Sequence, residues 1–525
     1  MPAIAIPFAP VAAAKCQPRR GSFAVNLGSN LANFGLSILV GIWLTPYLIR
    51  HLGVAAYGLV PLAVTVTSYM GLFTTGLNAA VGRFITLCLD RHDYEGANRI
   101  FNTSFWGSAA VLLILLGPAL WLSSQARFFF NVPAGYEDQF VWLFLGTIGV
   151  FFLTALGSSF GVASFCRNRF DLSNWINMVS TFVRVAAILL LFNLGVPKVW
   201  HIGLAMLAAT GVGLALSVAV WRRLTPMLTL QMTAFSPGAL KQLTGMGGWI
   251  VINQIGSLLY MSMDLVVVNK LMGAEAGGRY GSVMMWSVML RNLAGVVGGV
   301  FGPTMISLYG RRDTEGLVAY SRTAVKFVGL MMALPIGLIC GLGRPLLHIW
   351  LGADFESLAP LLMLMCLPLC VNLAVLPLFN IQVATNHVRL PGILTCVMGL
   401  GSLGLSLFLA GPAGWGMYGV ALAGAIMLTA KNLVFTPLYA AHILGLGYGT
   451  FFREMLPVIA STVGLALAGW WLAQNQPITS WLGLGLAGTV LAAAFFAIAC
   501  RFALTREERS QMLCRIWQGR MRMAP

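Results

Sequence analysis

About fourteen stretches of this chain are apolar for long enough to cross a lipid bilayer, and this repeated feature leaves few folds open. The hydrocarbon core offers no water to peptide groups, so every crossing must satisfy its own backbone, as a helix or a closed barrel does. Barrel strands alternate apolar and polar residues over about ten positions. The runs here are continuous, so the expected fold is an all-α polytopic membrane protein. Composition agrees: 58% of the 525 residues are hydrophobic and 9% are charged, against about 25% charged in a soluble domain. The 59 glycines suit helices whose backbones approach closely in lipid.

A net charge of +17 raises the question of a nucleic-acid partner. The basic residues, however, lie at the ends of the apolar runs rather than in a soluble patch, and no nucleic-acid binding is expected. In the fourteen-span topology, 23 of the 32 Lys and Arg fall on one side, six on the other and three within spans. The positive-inside rule then places both termini in the cytosol. Residues 1–24 read as a flexible cytosolic arm. Residues 501–525 carry six Arg among Met512, Leu513, Ile516 and Trp517, and read either as an amphipathic surface helix or as a plain charge cluster. Arg83 reads as a positive-inside anchor. The cysteines form no C-x-x-C pair, and the six His lack metal-ligand spacing. No metal, cofactor, P-loop or catalytic residue is expected, so the chain is not expected to be an enzyme.

The chain repeats itself. Arg91-His92-Asp93-Tyr94-Glu95-Gly96 and Arg311-Arg312-Asp313-Thr314-Glu315-Gly316 share one pattern, R-x-D-x-E-G, at an offset of 220 residues. The same offset carries Gly28 to Gly248, Asn33 to Asn253, Ser37 to Ser257 and Gly53 to Gly273. Six spans separate the matched elements, so the halves run parallel, as in rocking transporters. The expected organisation is an N-lobe (25–220, spans 1–6), a cytosolic linker (221–245), a C-lobe (246–440, spans 7–12) and an appended pair of spans (456–500).

Polar residues inside spans mark a candidate site. Asn26, Asn30, Asn33 and Ser37 share one face of span 1, and Asn253, Ser257, Tyr260 and Asp264 repeat that spacing on span 7. Intramembrane polar stripes face protein or a water-filled cavity, so the first helices of both lobes are expected to line a cavity between them. Arg184, Arg291 and Lys431 fall mid-span, where each costs about 2.5–3.5 kcal/mol on insertion scales. Asp264 is the one carboxylate within a span, so inward-pointing bases would make the interior cationic. A cationic cavity attracts an anion, and the guanidinium fork of Arg suits phosphate.

The run Leu44-Thr45-Pro46-Tyr47-Leu48-Ile49-Arg50-His51-Leu52-Gly53 with Tyr57-Gly58, together with Gly76-Leu77 and Arg83-Phe84, resembles polysaccharide flippases. So does Leu347-His348-Ile349-Trp350-Leu351-Gly352 with Ala359-Pro360-Leu361-Leu362. These proteins belong to the multidrug/oligosaccharidyl-lipid/polysaccharide exporter superfamily. The resemblance implies two six-helix lobes plus two helices, and movement of undecaprenyl-pyrophosphate-linked oligosaccharides from inner to outer leaflet for exopolysaccharide or O-antigen synthesis. It implies a substrate-binding role for Arg184, Arg291 and Lys431, the bilayer as surroundings and other polysaccharide assembly proteins as partners. Transport would draw on a proton or sodium gradient or on the membrane potential, with Asp264 as the coupling candidate. Three alternatives stand beside this reading. A multidrug/cation antiporter of the superfamily commonly carries a carboxylate in its first helix, which span 1 lacks. A peptidoglycan-precursor flippase shares the span count and cationic cavity. A scaffold without transport would not need two similar halves.

Overall fold

The computed structural model describes residues 20–70, 81, 84, 85, 88, 89, 92–167, 169–385, 387–499 and 501. Most of the N-terminal arm, Gly76, Leu77, Arg83 and the basic tail after Arg501 lie outside the described residues. The remainder is helical, with no strand among the described residues.

The N-lobe comprises α1 (Arg20–Leu52), α2 (Val54–Met70), α3 (Tyr94–Phe129), α4 (Glu137–Cys166), α5 (Phe170–Leu194) and α6 (Val199–Leu224). The C-lobe begins with α7 (Pro237–Gly299), whose helical path is broken at Gly273, with φ 89° and ψ 177°. We number its arms α7a (237–272) and α7b (274–299). The arms run antiparallel: the Tyr280 hydroxyl donates to Asp264 Oδ2 at 3.0 Å, and a Cβ on Gly281 would touch Leu265. Gly53, with φ 83°, makes the same turn between α1 and α2. A side chain is strained at such φ values, which is why glycine occupies both repeat-related corners. Then follow α8 (Gly302–Gly310), α9 (Thr314–Gly341), α10 (Gly343–Leu351), α11 (Ala359–Cys366), α12 (Leu369–Ala374), α13 (Leu376–Ala384), α14 (Arg389–Ala410), α15 (Gly416–Thr429), a π-helical turn (Ala430–Phe435), α16 (Thr436–Ile443), α17 (Phe452–Asn475) and α18 (Trp481–Ile498).

Twelve of the described helical segments are long and apolar enough to cross a membrane. One of these contains both arms of α7, and Val54–Thr67 adds a shorter apolar helix. Together these account for about fourteen crossings. The helical break falls at the glycine, so length alone would miscount one hairpin as a single span.

The repeat is visible in backbone detail. Asp93 and Asp313 each cap a helix by accepting from the N–H three residues on, Gly96 and Gly316, both at 2.8 Å. The residues before them, His92 and Arg312, share φ 57°. A short carboxylate at the cap satisfies an orphan helix-start donor, so the R-x-D-x-E-G pattern encodes this turn.

The linker is shorter than expected. Helix α6 runs to Leu224, and α7 starts at Pro237 because Ser236 caps it, accepting from Ala239 N–H at 3.4 Å. The intervening chain is tied to α3. Asn102 Nδ2 donates to the Thr229 carbonyl at 2.8 Å, and Gln231 N–H donates to Asn102 Oδ1 at 2.7 Å. Helix α17 packs on α9 along a seam of small residues, where a Cβ on Gly341 would lie 2.7 Å from the Ala466 carbonyl. The extra pair of helices is therefore fastened to the C-lobe.

Candidate functional site

The two faces of the bundle differ. The near face carries the start of α1 and the two Asp-capped turns, and the far face carries the Gly53 and Gly273 corners. At the far face the lobes touch. Asn131, after α3, and Asn269, on α7a, bind each other reciprocally. Asn131 N–H donates to Asn269 Oδ1 at 3.1 Å, and Asn269 Nδ2 donates to the Asn131 carbonyl at 3.2 Å. Asn131 Nδ2 donates to the carbonyls of Asn269 and Lys270, both at 2.9 Å, and the Lys270 ammonium donates to the Phe129 carbonyl at 2.9 Å. Nearby, α2 and α7b meet backbone to backbone: a Cβ on Gly58 would lie 2.5 Å from the Ala274 carbonyl and 2.6 Å from Gly278 N. The Trp350 indole N–H reaches across to the Ile42 carbonyl at 2.6 Å.

Toward the near face the lobes part around a cavity of about 1060 Å³. One wall is α1, presenting Asn26, Asn30, Asn33 and Ser37, and the other is α7b, presenting Arg291 and Asn292 between Met285, Val288 and Val296. All four residues of the α1 stripe are on that wall. Among the described residues, the opposite wall comes from the second helix of the C-lobe. Gly256 of α7a is pressed against α14, where a Cβ would sit 2.5 Å from Cys396 N, and Ser257 is not among the cavity-lining residues. The backbone of Asn253 and Tyr260 lies on α7a, but their side chains are outside the described set.

The mid-span charges separate. Arg291 lines the inter-lobe cavity and also a chamber of about 50 Å³ inside the C-lobe, which it shares with Asp264, Tyr280 and Asn372. Asn372 donates to Thr429 Oγ1 at 3.3 Å, while its own carbonyl oxygen is buried without a partner. Arg184 lies in a separate chamber of about 390 Å³ in the N-lobe, which meets the main cavity at Asn33 and Ser37. Lys431 does not join them. It sits on the π-helical turn, 5% exposed, with its ammonium 5.4 Å from the centroid of the Phe379 ring. The wider turn directs this residue into the C-lobe interior, and it is not a wall of the inter-lobe cavity.

Sequence reasoning missed the asparagine pair at the far face and the polar residues around Arg184. Asn177, Thr181 and Arg184 recur at i, i+4 and i+7 on α5, the periodicity used for α1, so that stripe was legible. The asparagine pair joins residues 138 apart, and no local pattern marks it.

The chain matches the family described as "Polysaccharide biosynthesis protein" over residues 21–309. It is 36% identical over 501 residues to the uncharacterized membrane protein EpsK of Bacillus subtilis (strain 168), covering 94% of this chain and 98% of that one. It is 22% identical over 428 residues to a putative O-antigen transporter of Shigella flexneri, covering 78% and 96% respectively. In fold it is similar to a solved structure of the lipid II flippase MurJ in an inward closed conformation, with TM-score 0.63, 14% identity, and 91% of this chain and 99% of that chain covered. The chain belongs to the polysaccharide biosynthesis protein family, and it is a multi-pass membrane protein.

Proposed function

We propose that this protein moves a lipid-linked oligosaccharide, carried on undecaprenyl pyrophosphate, from the inner to the outer leaflet of the bacterial inner membrane. The observation that carries the reading is the cavity between the lobes. It is closed at the far face by the asparagine pair, open toward the near face, and lined by Arg291 with a row of amides. The charge asymmetry supports a cytosolic near face with both termini in the cytosol. The cavity is then poised to load from the inner leaflet.

An amphipathic anion fits this shape, with its pyrophosphate at Arg291 and its lipid tail out in the bilayer. The far-face contacts must break for release, so transport proceeds by alternation between two lobe arrangements without a covalent intermediate. An inside-negative potential favours outward movement of an anion by about 2.3 kcal/mol per charge per 100 mV. Asp264, joined to Arg291 through the small C-lobe chamber, is the group we assign to coupling with a proton or sodium gradient. The family's description and the relative named as an O-antigen transporter support export of a polysaccharide precursor.

The test is depletion of the protein followed by analysis of lipid-linked sugars. Accumulation of unpolymerised units on the inner leaflet is expected. Drug sensitivity with normal surface polysaccharide would sink the reading. Arg291→Ala should lower export about tenfold or more with protein levels unchanged, as for loss of a buried charged partner.

A further inference from the structure

The N-lobe chamber around Arg184 is a built polar site in a segment that packing alone would fill with apolar residues. Its volume, about 390 Å³, falls within the roughly 300–1,000 Å³ of small-ligand pockets. Helices α1, α4, α5 and α6 surround it, and Asn33, Asn177, Ser180, Thr181, Arg184 and Thr210 face it. Arg184 Nε is buried there without a hydrogen-bond partner. A charged donor held in a membrane protein with no acceptor is costly unless a ligand supplies one.

The donor and acceptor arrangement narrows the ligand. The Thr181 hydroxyl already donates to the Asn177 carbonyl at 2.9 Å, and the Thr210 hydroxyl donates to the Met206 carbonyl at 2.8 Å. With those protons committed to the helices, both oxygens offer only lone pairs to the chamber. Arg184 offers only N–H groups. A phosphate, which has acceptors alone, would satisfy Arg184 and leave the threonine oxygens facing it. A sugar hydroxyl both donates and accepts, so a hydroxylated ring satisfies both kinds of group.

We propose that this chamber is the carbohydrate subsite, receiving the sugar nearest the lipid while the pyrophosphate stays at Arg291. Asn33 and Ser37 wall both spaces, so one molecule can occupy them together. The proposal rests on the flippase reading and adds where its head group is sorted: phosphate against the C-lobe, first sugar within the N-lobe. Selection among substrates then falls on α5 and α6 rather than on the cationic residue facing them.

The test uses the full-length protein in nanodiscs, with two probes: undecaprenyl pyrophosphate, and the same lipid bearing one N-acetylhexosamine. Binding is measured for wild type and for Thr181→Val/Thr210→Val, a pair of isosteric changes that removes both acceptor oxygens. Two lost hydrogen bonds predict roughly a tenfold weaker affinity for the sugar-bearing lipid, with less than about a twofold change for the bare lipid on the same scale. Retained binding of the bare lipid also reports that the variant is folded. Arg184→Gln should show the same selective loss. Equal weakening of both probes, or of neither, overturns the subsite while leaving the flippase reading standing. Failure of the wild type to bind either lipid overturns the flippase reading, and the subsite falls with it.

Discussion

The far-face asparagine pair supplies the most direct test of how this protein changes shape. Asn269→Ala removes two of its bonds, the one from Asn131 N–H at 3.1 Å and the one to the Asn131 carbonyl at 3.2 Å. The bonds from Asn131 Nδ2 to the backbone carbonyls of residues 269 and 270 remain available. Asn269 is 1% exposed, so water does not freely replace what is lost. At about 0.5–1.5 kcal/mol net per bond, the arrangement closed at the far face loses about 1–3 kcal/mol. The open arrangement, in which the lobes have parted, loses nothing. The equilibrium therefore shifts about 5- to 150-fold toward far-face opening. A minor state held at about 1% would rise to roughly 5–60%. The assay is distance measurement between spin labels at Leu31 and Val300, both exposed at the near face, in a background freed of native cysteines. The short-distance population should grow as the near face closes. An unchanged distribution in a folded variant would refute the assignment of this pair as the element holding the far face shut.

Two further outcomes follow from the same geometry. Gly58→Ala should shift the equilibrium in the same direction, because a Cβ 2.5 Å from a backbone carbonyl cannot be relieved by rotating a side chain. Overpacking of this kind costs about 1–3 kcal/mol, and an unaltered spin-label distribution would count against it. Asp264→Asn should remove any stimulation of flipping by an imposed proton or sodium gradient in proteoliposomes while preserving binding of the lipid substrate, and persistence of that stimulation would exclude Asp264 as the coupling group.

The helical architecture was legible because lipid enforces it: runs long enough to span have no alternative to a helix, and the loop pattern R-x-D-x-E-G encodes its own cap at Asp93 and Asp313. The α1 stripe of Asn26, Asn30 and Asn33 was legible for the same reason. Which way a helix faces was less so. Both lipid and neighbouring helices are apolar, so hydrophobicity does not fix rotation about the helix axis. Small-residue contacts do, as Gly256 against α14 shows, and they depend on a partner more than a hundred residues away. Lys431 was recognisable as a buried charge, but the π-helical turn that directs it toward Phe379 has no local signature in its neighbours.

The duplicated halves share wiring but not stiffness. In the N-lobe, α4 and α6 are unbroken. Their counterparts 220 residues on are interrupted: one is divided into α11, α12 and α13 near Pro368 and Val375, and the other contains the π-helical turn. Asn372 and Thr429 join these two weakened helices to each other. Broken ladders and π turns are where helices bend most readily. The N-lobe can thus act as a solid lever and the C-lobe as the spring, so that deformation during the cycle concentrates beside Asp264, Asn372 and Lys431.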